Sequence, residues 1–310
     1  MGNLFYYGKT PLNVSMSNID DSLESGVRTW SSQKISDTIN EINTAWHKAT
    51  DVKIGQCAEA GCNGVSIGSN AGAGSSAYTN TVAIGTSATV KANCAIAIGS
   101  NSVATESGVI SIGAQSGSTA NTGPDNVFIG IVSGHFNTTG NSNVFLGHYS
   151  GYNNTTGCYN TFLGMHSGYC NTTGSDNTFL GTYSGRSNTT GCCNTFLGTY
   201  SGFSNTTGNC NIFIGMQSGY FNTTGNNNVF IGIGSGHFNT TGNSNVFLGH
   251  YSGYNNTTGR YKVIVGDLLD VNGDADFALG HSGGIEDNNY LFTCNNHLYW
   301  CHGAVLDTIK

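Results

Sequence analysis

Residues 126–261 consist of eight contiguous copies of one 17-residue unit, N-x-F-[IL]-G-x-x-S-G-x-x-N-T-T-G-x-x. A fixed short period indicates a repeat architecture, in which each unit is one coil stacked on its neighbours. Seventeen residues are too few for a helix-containing repeat, and the apolar part of each unit is a brief run such as Val144–Gly147. A short β-branched and aromatic run is typical of a strand buried on both faces. The pattern therefore predicts an all-β fold, a parallel β-solenoid.

Shorter versions of the unit flank the eight copies. Upstream, the element [IVA]-x-I-G recurs with its glycines at Gly68, Gly85, Gly99 and Gly113. Downstream, Phe277–Gly280 adds one more element. We therefore expect a β-roll of 14–17-residue coils from about Ile54 to Gly280, with about 13 turns at the ~4.8 Å spacing of paired strands. The N-T-T-G segments supply the turns, because Asn and Gly tolerate left-handed backbone conformations.

The composition fits an ordered rod that carries little charge. Only 9% of the residues are charged, against about 25% in ordinary globular proteins. Disordered chains are also polar, but they lack aromatic residues, whereas this chain has 15 Phe and 15 Tyr. The net charge of −7 without any Lys/Arg run argues against nucleic acid and anionic membranes as partners. No apolar stretch approaches the ~20 residues of a membrane helix, so we expect no membrane insertion.

The N-terminus and the cysteines point to assembly in a reducing cytoplasm. The first residues, MGNLFYYGKT, lack the basic and apolar regions of a secretory signal. The ten cysteines are scattered rather than arranged as a disulfide framework, so most are expected to be free thiols. Cys193 and Cys210 lie one repeat apart, and stacked coils would bring them within disulfide reach. For this pair both a disulfide and free thiols remain open.

The short coil predicts a homotrimer. A coil of 14–17 residues encloses too little volume to bury both faces of its strand, so one face needs a neighbouring chain. Ser31 or Ser32 can cap a helix. In that helix, apolar residues fall at the 4-3-4 spacing of a coiled-coil seam, at Ile35, Ile39, Ile42 and Trp46. Isoleucine at both core positions favours three or more strands. We predict that this short coiled coil is the trimerisation seam; a single amphipathic helix packed on the rod is the alternative.

Several segments resemble known fibre proteins. Ser66–Gly68, Thr81–Gly85 and Ala95–Gly99 resemble the head repeats of trimeric autotransporter adhesins, which are trimers of left-handed parallel β-rolls. The 17-residue N-T-T-G units resemble repeats of bacteriophage tail fibres and virion spikes. Thr29–Ile35, TWSSQKI, is similar to a sequence motif that precedes short helices in phage fibre proteins. The resemblance implies a virion fibre that mediates host attachment and is assembled in the host cytoplasm.

Two other classes of protein remain as alternatives. Autotransporter adhesins need a signal peptide and a membrane anchor of amphipathic strands, and the sequence shows neither pattern, so the phage-fibre interpretation is favoured. A cell-surface or extracellular adhesin of this fold is the first alternative. The second is a monomeric solenoid binding module with a flat Thr/Asn face, as in ice-binding proteins; here the Thr pair lies in a turn beside glycine, which argues against it.

The predicted organisation has five segments. Their order is an attachment segment at 1–30 that docks on a virion baseplate or attachment protein, a coiled coil at 31–50, a β-roll of shorter repeats at 51–125, the eight 17-residue repeats at 126–261, and a last coil with a C-terminal β-hairpin cap or tip at 262–310. Residues 126–159 and 228–261 differ at only two positions, which indicates a recent duplication. An adjustable repeat number is typical of a spacer.

The charged residues exclude catalysis by the repeats. Across the eight units they are Asp176, Arg186 and Arg260. Cleavage of a polysaccharide needs a pair of carboxylates, which these units do not contain. We therefore expect no enzymatic activity and no cofactor.

The last coil contains a short run of residues that partly matches a calcium-binding loop. Acidic and amide side chains alternate there as at the start of a calcium loop, at Asp270, Asn272, Asp274 and Asp276. However, Ala275 replaces the turn glycine, and His281 stands where a bidentate acid belongs. An Asn-Gly turn inside the coil is the favoured interpretation, so no metal is predicted.

The last segment predicts a hairpin that caps the solenoid. Residues 290–294 and 297–301 flank Asn295-Asn296, a plausible two-residue turn. One face then carries Tyr290, Phe292, Cys294, His297, Tyr299 and Cys301, and the other carries Leu291, Leu298 and Trp300. We predict that a host-surface glycan or protein contacts the tip through Tyr290, Phe292, His297, Tyr299 and Trp300. A zinc site at Cys294, His297, Cys301 and His302 is the alternative, at a non-standard spacing.

One column of the repeat raises a second binding hypothesis. The residue after each Ser-Gly is His135, Tyr152, Tyr169, Arg186, Phe203, Tyr220, His237 or Tyr254. Such side chains could stack against sugar rings. They could also stack on one another and stabilise the rod, and this second interpretation is favoured.

Overall fold

The chain is all-β in the computed structural model, which describes residues 5–7, 10–12, 52–55, 58, 63–72, 78–117, 120–270, 277–281, 289–294, 297–302 and 305–309. No helix occurs within these ranges, and hence none that could cross a membrane. The strands are β1 Phe5–Tyr7, β2 Thr10–Leu12, β3 Val52–Ile54, β4 Val65–Ile67, β5 Val82–Ile84, β6 Thr89–Val90, β7 Ile96–Ile98, β8 Val103–Ala104, β9 Ile110–Ile112, β10 Val127–Ile129, β11 Val144–Leu146, β12 Thr161–Leu163, β13 Thr178–Leu180, β14 Thr195–Leu197, β15 Ile212–Ile214, β16 Val229–Ile231, β17 Val246–Leu248, β18 Val263–Val265, β19 Phe277–His281, β20 Asn289–Cys294, β21 His297–His302 and β22 Val305–Ile309.

The strands stack into the predicted parallel β-solenoid. Each strand pairs in register with the equivalent strand of the next coil, as Phe128 pairs with Phe145. This parallel ladder runs through β3, β4, β5, β7 and β9 and on to β19. Strands β6 and β8 form a second, short parallel sheet in the shorter coils. The prediction of a parallel solenoid built from tandem repeats is therefore confirmed.

The core of the 17-residue coils is a single stack of phenylalanine rings. The middle residue of each short strand points inward because side chains alternate along a strand. The rings of Phe162 and Phe179 stack at 4.8 Å with their planes 5° apart, and the phenylalanine at the centre of each strand from β10 to β17 is fully buried. In the shorter coils the equivalent residues are small, as at Ala83 and Ala97. The larger coil thus encloses one aromatic ring per turn.

Buried amides line the rest of the core, and they bond to one another from coil to coil. The Asn154 side chain donates to the Asn137 Oδ1 at 2.7 Å and to the Gly157 carbonyl at 3.0 Å. A second ladder begins each strand, where the Asn143 backbone N–H donates to the Asn126 Oδ1 at 2.9 Å. Both ladders are fully buried over most of their length. Buried polar groups need such partners, since an unpaired one is costly.

Glycine after each strand is required by geometry. Gly164 has a φ of +135°, and a Cβ added there would lie 2.5 Å from the carbonyl oxygen of Gly181 in the next coil. No side chain fits that distance, and the backbone conformation itself favours glycine. The repeating glycine therefore fixes the coil-to-coil spacing.

The solenoid continues into an antiparallel sheet at its C-terminal end. Strand β19 is parallel to β18 and antiparallel to β20. Strands β20 and β21 pair with Cys294 opposite His297, and β22 pairs with β21. The sequence pattern did not predict β22. A role of this sheet as a cap stays a prediction.

The predicted coiled coil lies outside the described residues, so the structure does not test it. Its seam residues, Ile35, Ile39, Ile42 and Trp46, lie outside the described residues, as do Ser31 and Ser32. Near the N-terminus, the short strands β1 and β2 form an antiparallel pair. The five predicted segment boundaries, the coiled coil and the trimer stay predictions.

Candidate functional site

The outward face of the strand ladder, which we call the strand face, is an extended apolar surface. Its outward positions in β4, β5, β7 and β9 to β18 are all Val, Ile, Leu or Thr. Val144, Leu146 and Leu180 are 41%, 39% and 41% exposed. The position after the strand glycine widens the surface where it is apolar, as at Ile131, which is 52% exposed. Large contiguous apolar patches are typical of interaction surfaces, so the strand face is a candidate site for contact with another molecule.

The aromatic ladder is the column that follows each Ser-Gly, from His135 to Tyr254. Its rings stack face to face on successive coils, with Tyr152 and Tyr169 at 5.1 Å and Phe203 and Tyr220 at 5.0 Å. Arg186 continues the stack where the ring is missing, since its guanidinium lies 5.4 Å from the Tyr169 ring and 5.6 Å from the Phe203 ring. Such contacts stabilise adjacent coils.

This stacking decides between the two interpretations of the aromatic ladder. Each internal ring has a neighbour on both faces, so only ring edges face the solvent. A sugar ring stacks on an aromatic face, and the faces are occupied. The geometry therefore supports a stabilising role and gives no support to sugar stacking along the ladder.

A second aromatic row lies beside the ladder. The His166 ring stacks between the rings of Tyr149 and Tyr183, at 5.1 and 5.2 Å. Burial lowers the pKa of His166, and the charge of Arg186 lowers it further. Burial also lowers the pKa of His237 in the ladder itself. Both imidazoles are therefore held in the neutral form near pH 7.

A polar groove runs along the turn side of the coils. We call it the turn groove; it has a volume of about 570 Å³. Its walls are Thr190, Thr207, Asn209, Thr224, Asn226, Thr241, Asn243 and Arg260. The sequence pattern predicts that these Thr residues lie in turns, and it left a flat Thr/Asn binding face only as a disfavoured alternative. The signal that could have revealed the groove is the Asn column at positions 209, 226 and 243.

The C-terminal sheet carries the predicted receptor residues on two different faces. Its register places Phe292 opposite Tyr299 and Tyr290 opposite Cys301. The rings of Phe292 and Tyr299 stack at 5.4 Å, and Phe292 also packs against the end of the solenoid core. The His297 ring lies 6.5 Å from Tyr299, whereas Trp300 alternates to the opposite face. The structure thus brings Phe292, His297 and Tyr299 together and separates Trp300; receptor contact stays a prediction.

The candidate metal residues form no metal centre within the described ranges. Asp270 accepts a hydrogen bond from the backbone N–H of Asn255 at 3.1 Å. Asn272, Asp274 and Asp276 lie outside the described residues. Among the described side chains, no group of three or more His, Cys, Asp or Glu is arranged to hold a metal ion. For the zinc alternative, the register places Cys294 opposite His297 and His302 beside Cys301; a zinc site stays an open alternative.

Asp267 links the last coils to the C-terminal sheet. One carboxylate oxygen lies 3.0 Å from the His250 Nδ1, and the other lies 3.5 Å from the His281 Nδ1. All three side chains are about half exposed. Exposed pairs of this kind contribute little to stability.

Six cysteines of the solenoid are free thiols, Cys94, Cys158, Cys170, Cys192, Cys193 and Cys210. Cys193 and Cys210 are both exposed and occupy the same column of adjacent coils. Burial and the neighbouring Cys192 raise the pKa of the Cys193 thiol, and burial raises that of Cys170. A raised pKa disfavours the thiolate, which is the reactive form.

These features define a class of protein: a tandem-repeat parallel β-solenoid with one apolar face, one aromatic ladder and one polar groove. Comparisons of the chain with models of known protein families and with curated protein sequences returned no match.

Proposed function

We propose that the chain is a non-enzymatic structural subunit of a homotrimeric fibre, of the kind that attaches a virion to its host. The observation that carries the proposal is the strand face. Its outward side chains are apolar apart from one Thr in each of three successive strands, and the single chain leaves them half-buried or exposed. An apolar sheet face of that length needs a covering layer, and a second copy of the chain offers the same repeat spacing.

Three properties of the solenoid support a role as a fibre shaft. The strands repeat in register, so identical rods align along their whole length. The Phe stack and the Asn ladders make each coil depend on its neighbours, which gives a stiff rod. At the ~4.8 Å spacing of paired strands, the ladder extends for roughly 60 Å. A shaft of this kind separates an attachment point from a binding tip.

The ends complete the proposed arrangement. The N-terminal segment is proposed to dock on a virion baseplate or attachment protein, with the seam Ile35, Ile39, Ile42 and Trp46 joining three chains. At the other end, Phe292 packs against the last core residues, which supports a capping role for the C-terminal sheet. A host glycan or protein is proposed to contact the sheet at Tyr290, Phe292, His297, Tyr299 and Trp300. The cell-surface adhesin remains the alternative, because the same rod would serve it.

Labelling by electron microscopy tests this function. Antibodies raised against the purified chain would be applied, with gold conjugates, to particles and to whole cells from a culture that produces the protein. Label at the tips of virion tails is the expected result. Label confined to the cell surface would contradict the virion assignment and favour the adhesin.

A further inference from the structure

The turn groove contains Thr hydroxyls that the fold leaves unused. Each N-T-T-G turn has an inner Thr, the first of the pair, and an outer Thr, the second. In the first seven copies the inner hydroxyl donates to the next coil: Thr206 Oγ1 donates to the Thr223 carbonyl at 3.0 Å, and Thr223 repeats this with Thr240. The outer hydroxyls of Thr207 and Thr224 are exposed and have no hydrogen-bond partner in the described structure.

The outer Thr is nevertheless invariant among the repeats. All eight copies carry it, from Thr139 to Thr258. Duplication alone does not explain this, because another exposed column differs from copy to copy, as at Tyr159 and Cys193. The other invariant columns supply the Phe stack, the Asn ladders, the Ser hydrogen bonds and the glycine turns. The outer Thr is the invariant side chain that supplies none of these.

The groove is also held rigid. The backbone N–H of Asn209 donates to the Asn226 Oδ1 at 2.8 Å, and that of Asn226 donates to the Asn243 Oδ1 at 2.8 Å. The side-chain amides of Asn209 and Asn226 also donate to the backbone carbonyl of the outer Thr two residues before them, at 2.9 and 2.8 Å. A pre-organised row of polar groups loses little conformational entropy when a ligand binds.

Arg260 closes the groove at one end. It stands in the Asn column, one coil after Asn243, and it has no acidic partner among the described residues. The near-identical block 126–159 has Cys158 at this position, so the arginine is one of the two differences between the blocks. An exposed guanidinium at the end of a neutral groove is suited to a carboxylate.

We propose that the turn groove binds an extended glycan chain that carries carboxylates. The outer Thr hydroxyls take the sugar hydroxyls of successive residues, one contact per coil, and Arg260 takes a carboxylate, while the Asn amides, which are bonded within the fold, hold the row in place. The regular spacing of the coils selects a linear polymer over a compact molecule. This site lies on the shaft, so it does not depend on the tip proposed above or on the number of chains in the fibre.

Glycan binding by the full-length chain tests this proposal. The probes are immobilised linear oligogalacturonate and oligomannuronate, and the methyl ester of each serves as its uncharged counterpart. The test variant is Thr207→Val, Thr224→Val and Thr241→Val, which replaces three hydroxyls by methyl groups of the same shape. We expect the dissociation constant for at least one acidic probe to rise at least 10-fold. Arg260→Asn, which restores the residue of the preceding coils, should weaken acidic binding about 5-fold and leave ester binding unchanged.

The matched control places the same chemical change on the strand face. Thr161→Val, Thr178→Val and Thr195→Val use a residue that the same column already holds at Val144, so folding and glycan binding should both persist. Failure of the wild type to bind either acidic probe would overturn the proposal, as would equal binding by the wild type and the test variant. Ice shaping that is lost with the outer Thr residues, without glycan binding, would assign the groove to ice instead.

Discussion

The buried Asn ladder makes one substitution especially informative, Asn171→Ala. The Asn171 side chain donates to the Asn154 Oδ1 at 2.7 Å and to the Gly174 carbonyl at 2.9 Å. Its own Oδ1 accepts from the Asn188 side chain at 2.7 Å. All three amides are fully buried. Alanine therefore removes one rung from the middle of a continuous hydrogen-bond chain.

The expected loss in the free energy of unfolding can be calculated from the groups that lose their hydrogen-bond partners. The Asn154 Oδ1 and one N–H of Asn188 are left unpaired, whereas the Gly174 carbonyl still accepts from Asn160 at 2.8 Å. A buried group left unpaired costs about 1–3 kcal/mol, so two groups predict a loss of about 2–6 kcal/mol in the free energy of unfolding. Neighbouring coils share the ladder, and the loss should therefore lower the cooperativity of unfolding as well.

Denaturant unfolding followed by circular dichroism measures this loss at a fixed protein concentration. The matched control is Asn226→Ala in the turn groove, where the amide is only partly buried and water can replace its partners. We expect the control to cost less than about 1 kcal/mol. Equal losses for the two variants, or a loss below about 1 kcal/mol for Asn171→Ala, would refute the view that the buried ladder stabilises the solenoid.

Three further predictions address the coil spacing, the strand face and the response to acid. Gly164→Ala should prevent the native stacking, because its Cβ would lie 2.5 Å from the Gly181 carbonyl oxygen; a folded variant with wild-type circular dichroism would contradict this. Leu180→Glu should leave the coil folded but dissociate the proposed oligomer, as sedimentation velocity would show; an unchanged sedimentation coefficient would count against the interface. The pKa of His166 is lowered in the folded state, so folding stability falls as pH drops through and below its usual value of 6.5. His166→Gln, which uses the residue found at Gln217, should reduce the loss of stability between pH 7 and pH 5, and an identical loss would exclude this contribution.

The strands and the stacking of the coils could be predicted from the sequence, because each column of the repeat occupies one fixed position in the coil. The apolar triplets predict the strands, and the regular glycine columns predict the period of the coils, whereas the close coil-to-coil contact at Gly164 is seen only in the structure. Column identity also predicts which residues stack, since equivalent positions must be neighbours in a solenoid. The extra sheet of β6 and β8 was not predicted, because strands of two residues leave no periodic signal.

The candidate sites were harder to predict, because the sequence does not show in which direction each side chain points. The sequence shows that aromatic residues recur after Ser-Gly. Ring orientation decides whether ring faces or edges are available, and only the three-dimensional structure shows the stacking of Tyr152 on Tyr169. Similarly, two adjacent Thr residues look equivalent in N-T-T-G. The turn directs the Thr223 hydroxyl to the next coil and leaves the Thr224 hydroxyl in the groove. Left-handed φ angles at bulky residues such as Tyr149, at +56°, were likewise not predictable from local preference.

The number of chains in the particle tests the central claim most directly. Light scattering coupled to size exclusion measures the molar mass of the purified chain independently of its shape. A homotrimeric fibre predicts three times the 32.3 kDa mass of one chain, in a particle that elutes early because it is elongated. A mass equal to one chain would show that the apolar strand face stays uncovered in solution, and the fibre proposal would then be wrong.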